Sequence, residues 1–230
     1  MGRSKPALKP VRRLPPSKTA PRRRRTAKVA RLDILDAAET RFATAGFEAT
    51  RLEDVGADIG MSRPAVLFHF SDKLALYRAV LDDVFGGLLG EIQFALAGTA
   101  ALDERLKVAI ETAVDYPGRR PNAAHLVLRE AATSDPTLRD VAQKQAAPLI
   151  KLLELLLREG QRAGLWQPRC DVVHFASIIA GAVALYIGAS RTLAADLPYD
   201  PLATAQLAAL KEEILLVTWA LLRPTLKVRG

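Results

Sequence analysis

ILDAAETRFATAGFEAT (residues 34–50) and, one residue on, LEDVGADIGMSRPAVLFHFSDKLAL (residues 52–76) decide how this chain folds. In the first stretch Ile34, Ala38 and Phe42 recur every fourth residue, an apolar stripe on a helix from about Thr26 to Thr44. Gly46 stands just past its end, where a left-handed residue stops a helix. Thr50-Arg51-Leu52-Glu53 reads as a capping box, with Thr50 as N-cap and Glu53 returning to its backbone. A short second helix is therefore predicted from about Leu52 to Ile59, ended by Gly60. Ser62 then caps a third, about Arg63 to Phe70, and Pro64 is tolerated in its first turn, where backbone donors have no helical acceptor. Two short helices around a glycine-containing turn form a helix-turn-helix, whose second helix fits the major groove of DNA. In that helix Val66 and Phe70 should face inward with Met61. Arg63, Ala65, Leu67, Phe68 and His69 are left to the outside or the edge.

Outward from this unit the pattern stays helical. Ser71 is expected to cap a longer helix carrying Leu74, Tyr77, Val80, Leu81 and Phe85. Further helices are predicted at about 101–116, 121–134, 136–163, 170–193 and 201–222, punctuated by Gly118, Pro136, Gly164, Pro168, Pro198 and Pro201. Alternating β-branched runs are absent, so the expected fold is all-α with about nine helices. Three parts follow: a basic arm over 1–25, expected to be disordered, a helix-turn-helix domain over 26–78, and a larger helical bundle over 79–230.

The stretch from Arg31 to Val80 resembles the DNA-binding region of the TetR (tetracycline-repressor-like) family. The resemblance is carried by Ile34, Leu35, Ala37, Ala38, Gly46, Phe47, Thr50, Gly60, Ser62, His69, Phe70 and Lys73, all at the family's spacing. The rest of the chain matches only in being helical. By position, the resemblance implies that Thr50, His69 and Lys73 touch phosphates, contacts that set register and carry no sequence information. Ser62 starts the recognition helix beside them. Arg63, Ala65 and Phe68 are candidates for base edges: Arg63 could fork onto guanine and Phe68 could pack on a thymine methyl. The chain departs from the family at three positions. Leu67 stands where a tyrosine is usual and cannot donate to phosphate, Pro64 replaces a common glycine, and Gly56 replaces a common alanine at a local cost of ~1 kcal/mol.

Charge agrees with a polyanionic partner. The first 31 residues hold 12 of the 33 basic side chains and none of the 25 acidic ones; the remainder, with 21 basic groups, is mildly acidic. Arg22, Arg23, Arg24 and Arg25 form an unbroken run that could lie in the minor groove or along phosphates, with a solvated tail as the bland alternative. Cys170 is the single cysteine, so no intrachain disulfide can form and a reducing compartment is the simple reading. Five prolines in the arm argue against a targeting helix. Val172 to Ser190 lacks any charged residue and reaches the length of a membrane span, but it is Ala- and Gly-rich, and a buried helix at a helix-helix interface is the better reading.

For the bundle, the family resemblance implies a homodimer through the last two long helices, Val172 to Ser190 and the one carrying Leu207, Leu210, Ile214, Val217, Trp219 and Leu221. It also implies a small-molecule pocket. Tyr116, His125, Arg129, Trp166, Phe175 and Tyr186 are the candidates, and the aliphatic helices point to a largely apolar effector. His125 and His174 are not spaced as a metal site, and no cofactor is expected. No nucleophile elbow, phosphate-binding glycine loop or supported Cys-His pair is present, so an enzyme is not expected. The expectation is a cytoplasmic, nucleoid-associated, ligand-responsive regulator, a repressor, binding a near-palindromic double-stranded DNA operator. Two alternatives are an arm-driven nonspecific DNA binder and a ligand-sensing relative without operator binding.

Overall fold

A computed structural model describes residues 27–97, 100–193 and 200–223, and the arm over 1–25 with Arg22 to Arg25 lies outside them. The described residues form nine helices and no strand: α1 (Ala27–Ala49), α2 (Leu52–Asp58), α3 (Arg63–His69), α4 (Lys73–Leu96), α5 (Leu102–Arg119), α6 (Pro121–Ala132), α7 (Pro136–Arg162), α8 (Val172–Leu193) and α9 (Thr204–Leu222). The all-α expectation holds.

The apolar stripe of α1 is fully buried: Ile34, Ala38 and Phe42 are 0% exposed. They pack with Val55 of α2, Val66 of α3 and Leu76, Tyr77 and Val80 of α4. The same core continues into the bundle through Tyr116, Ala123, Leu126, Leu138 and Val141, so packing does not stop at the expected boundary near residue 78. A second core joins α5, α7, α8 and α9 through Leu106, Ile110, Leu157, Phe175, Ile179 and Ile214.

The helix ends differ from expectation in their details. Gly46 does break α1, with φ of 83°, but one more helical stretch follows it to Ala49. The capping box does not form. Thr50 is 2% exposed and its hydroxyl donates back to the Gly46 carbonyl at 2.7 Å, so Arg51 becomes the N-cap of α2 and Glu53 turns instead to Arg63. Ser62 is the N-cap of α3, without a side-chain cap bond. Asp72, and not Ser71, caps α4: its carboxylate accepts from the Ala75 backbone at 2.7 Å, a charge-assisted bond stronger than a hydroxyl would make. The helix expected to end near residue 116 runs on to Arg119, keeping Tyr116 and Pro117 buried.

Helix α8 is long and apolar enough to cross a membrane by length and composition. One face, Phe175, Ile179, Val183, Ala184 and Ile187, is buried within the chain, and Val173, Ile178 and Leu185 on the other side are exposed.

Candidate DNA interface and ligand cavity

The turn between α2 and α3 is tight because Gly56 has no side chain. Met61 donates to the Gly56 carbonyl at 2.7 Å, and a Cβ on Gly56 would stand 2.5 Å from the Met61 carbonyl oxygen. The residue that weakens α2 is what lets the turn close. Val66 and Phe70 anchor α3 inward, as the spacing predicts, with Met61 packed against the same core. Phe68 is 83% exposed, Ser62 and Arg63 are exposed, and Ala65, Leu67 and His69 are half-buried. Leu67 packs against the core, and the His69 ring meets Phe68 edge-on at 5.3 Å.

Two of the expected phosphate contacts are engaged within the protein. Thr50 is buried as described. Lys73 donates to the carbonyls of Phe47 and Glu48 at 2.9 and 3.2 Å and lies 4.3 Å from the Phe47 ring centre. Its ammonium has three protons, so these bonds leave one for a phosphate. The α1 kink is thus clamped to the start of α4. Arg63 pairs with Glu53 at 3.0 Å, both more than half exposed, and that pair is weak enough to be exchanged. Arg31 lies 5.0 Å over the Phe70 ring and ties α1 to the end of α3.

A cavity of about 580 Å³ lies between α4, α5, α6, α7 and α8. Its wall is mostly aliphatic and aromatic, including Phe85, Leu88, Ile92, Val127, Leu153 and Ile179. Of the residues expected to bind a ligand, Tyr116 and Phe175 line it. The others lie outside its lining. Trp166 is buried with its indole N–H donating to Asp103 at 2.8 Å. Arg129 reaches the Ala43 and Thr44 carbonyls of α1 at 2.7 and 2.5 Å. His125 is half-buried, and Tyr186 packs against the second core.

Sequence reasoning missed the polar groups on the wall: Glu130, Thr133, Arg139 and Gln143. Glu130 accepts a hydrogen bond from the Tyr77 hydroxyl, and burial pushes its carboxyl up to about 7. A second polar cluster sits where α5 meets α6. Arg120 donates through Nε to both oxygens of Glu39, through its other nitrogens to Asp83 at 2.5 Å and to the Tyr116 hydroxyl at 2.9 Å. Burial works against the Arg120 charge, but the Glu39 and Asp83 carboxylates hold its pKa above the ordinary value. Burial likewise raises the Tyr116 phenol against the opposing pull of Arg120. Among the described residues no cluster of His, Cys, Asp and Glu could hold a metal ion.

Residues 34–80 match bacterial regulatory proteins of the tetR family, and residues 103–217, half of the chain, match the tetracyclin repressor-like C-terminal domain. The chain is similar to the HTH-type transcriptional regulator RutR of Escherichia coli K12, 30% identical over 154 residues that span 66% of this chain and 71% of RutR. It is also similar to the HTH-type transcriptional activator FasR of Mycolicibacterium smegmatis, 29% identical over 103 residues, 45% of this chain and 47% of FasR. In fold it matches the transcriptional regulator FadR of Bacillus subtilis, solved in complex with stearoyl-CoA, with a TM-score of 0.67 at 19% identity over 81% of this chain and 96% of FadR. Both the helix-turn-helix and the bundle therefore point one way: the chain belongs to the TetR family and is a DNA-binding transcriptional regulator, not an enzyme.

Proposed function

We propose that the protein binds a near-palindromic operator as a twofold dimer and releases it when a largely apolar small molecule occupies the cavity between α4 and α8. The observation that carries this reading is that α4 belongs to both units. Its first residue, Lys73, holds the α1 kink through the Phe47 carbonyl, while Val84, Phe85, Leu88 and Ile92 further along form the cavity wall. A molecule that fits one tilt of α4 better than another biases the spacing of the two recognition helices, and DNA biases it the other way. Arg63, Ala65 and Phe68 face base edges, and Ser62, His69 and Lys73 position the helix on phosphates. Thr50 supports the kink from inside. The residues 26–78 read DNA, and the residues 79–230 sense and dimerise.

Dimerisation through α8 and α9 is supported by the apolar side chains these helices leave exposed: Val173, Ile178, Leu185, Leu216 and Val217. The apolar lining favours an effector with a long or fused hydrocarbon body, as the acyl chain of the stearoyl-CoA bound to FadR is. The regulator acts in the cytoplasm, on the nucleoid, and repression is the proposed sign. The arm over 1–25 adds phosphate contacts beside each recognition helix.

The test is selection of a preferred duplex from a random DNA library, followed by fluorescence anisotropy at ~150 mM salt against a scrambled duplex. A preference of roughly 1000-fold, with a two-protomer stoichiometry, is expected of an operator reader. Equal affinity with steep salt dependence would mean arm-driven binding, and no binding by a stable dimer would mean sensing without an operator.

A further inference from the structure

Glu130 is the single acidic side chain among the described residues that line the cavity. One carboxylate oxygen accepts from the Tyr77 hydroxyl; the other is buried and has no hydrogen-bond partner among the described residues. A buried acceptor left without a donor is a standing loss that a bound donor would recover. Arg129, the neighbour in sequence, does not serve it, because its guanidinium is held by the Ala43 and Thr44 carbonyls of α1. Arg139 on the same wall is exposed and solvated, so an anion placed there would gain little.

Glu130 is also wired to the DNA-binding unit. Tyr77 is 1% exposed, and its ring meets Phe42 edge-on at 4.9 Å and Phe47 at 5.1 Å. Phe47 lies at the α1 kink, where its carbonyl accepts from Lys73. A shift of the Glu130 carboxyl is therefore passed through one buried ring to the two elements that seat the recognition helix.

We infer that Glu130 selects effectors that carry a hydrogen-bond-donating, preferably cationic, amine head on an apolar body, and that engagement of this head is transmitted to the helix-turn-helix through Tyr77. The inference rests on the ligand-responsive reading of the cavity. An amine brought against Glu130 favours the ionised carboxylate, supplies the unpartnered oxygen with a donor, and draws the carboxyl towards the amine together with the Tyr77 hydroxyl bonded to its other oxygen. The hydrocarbon body fills the aliphatic part of the cavity.

The experiment compares decylamine, decanol and decanoate, three chain-matched probes, by calorimetric titration of the full chain at pH 7.5, together with release of the selected operator duplex. Wild type should bind decylamine at least tenfold more tightly than decanoate. In Glu130→Gln, a near-isosteric change, that preference should vanish while decanol binds as before. Tyr77→Phe should bind decylamine but lose most of its effect on operator release. Binding of all three probes without headgroup preference, or a preference unchanged in Glu130→Gln, overturns the inference and leaves the ligand-responsive reading standing. Failure of every probe to bind a protein that still selects its operator overturns the role of the cavity and this inference with it. Undiminished operator release in Tyr77→Phe overturns the route through Tyr77.

Discussion

Arg120, which ends α5 and starts α6, closes a forked ion pair onto Glu39 of α1, with Nε 3.0 and 2.8 Å from the two carboxylate oxygens. Glu39 is 4% exposed, and the Arg120 guanidinium is its ion-pair partner. The pair fastens the first helix of the DNA-binding unit to the bundle, and Asp83 of α4 joins it through the same guanidinium. Arg120→Ala leaves Glu39 buried and unpaired, and is expected to cost about 2–3 kcal/mol in denaturant unfolding. Arg120→Lys should recover only part of this, because an ammonium cannot fork onto two carboxylates as a guanidinium does. Full recovery by lysine would show that charge alone, and not geometry, matters at the junction.

The exposed Arg63–Glu53 pair predicts an opposite balance. It adds at most ~1 kcal/mol to stability, and under the proposed role of Arg63 the Glu53 carboxylate would compete with base edges for the arginine. Glu53→Gln should leave the melting temperature nearly unchanged and strengthen operator binding by less than about tenfold. Arg63→Ala should weaken binding by ~1–3 kcal/mol and relax preference at one base pair in each half-site, as a mutated-operator series would read. Uniform weakening across all operator variants would instead make Arg63 a phosphate contact.

The helix-turn-helix was legible because it is local. Val66 and Phe70 are one helical turn apart, and Gly46 and Gly60 mark positive φ within a few residues of where the helices stop. Cap chemistry was less legible because side chains had partners that spacing does not reveal. Glu53 faces Arg63 ten positions on, and Thr50 bonds back by four. The cavity was least legible. Arg129 and Glu130 are neighbours in sequence, but successive helical residues point about 100° apart, so one serves α1 and the other the cavity. Aromatic and polar residue types nominated Trp166 and His125, whereas the lining is decided by which faces of five helices converge.

Gly160 shows how closely the second core is fitted. The Trp166 indole lies directly against it, and a Cβ there would stand 2.1 Å from the ring. Trp166 cannot move freely, since its N–H is held by Asp103 at 2.8 Å. Gly160→Ala should therefore destabilise the fold by about 1–3 kcal/mol, despite the better helix propensity of alanine, through overpacking. The measurement is a thermal melt followed by tryptophan emission. A red-shifted native emission would report the indole displaced towards water. An unchanged melt and emission would mean that α7 and the Trp166 loop slide apart without loss.

The half-buried carboxyl of Glu130 gives stability a pH dependence whose sign is fixed. Its pKa is raised by burial from 4.5 to about 7 on folding, so the folded chain holds this proton more tightly than the unfolded one. The resulting stabilisation is complete below pH 4.5 and is lost as pH rises towards 7, where the folded group ionises as well. Tyr77 from α4 is its hydrogen-bond partner, and Tyr116 and Arg139 share the cavity wall with it. Because Glu130 is only partly buried, the effect is on the order of 1–2 kcal/mol and not the full shift. Stability of wild type relative to Glu130→Gln should therefore fall by that amount between pH 5 and 8, measured by urea unfolding at fixed ionic strength. Carboxylates on the surface, paired with arginine or lysine, act in the opposite direction, which is why the variant must serve as the reference. A difference that stays flat across this range would mean that water reaches the carboxyl in the folded protein.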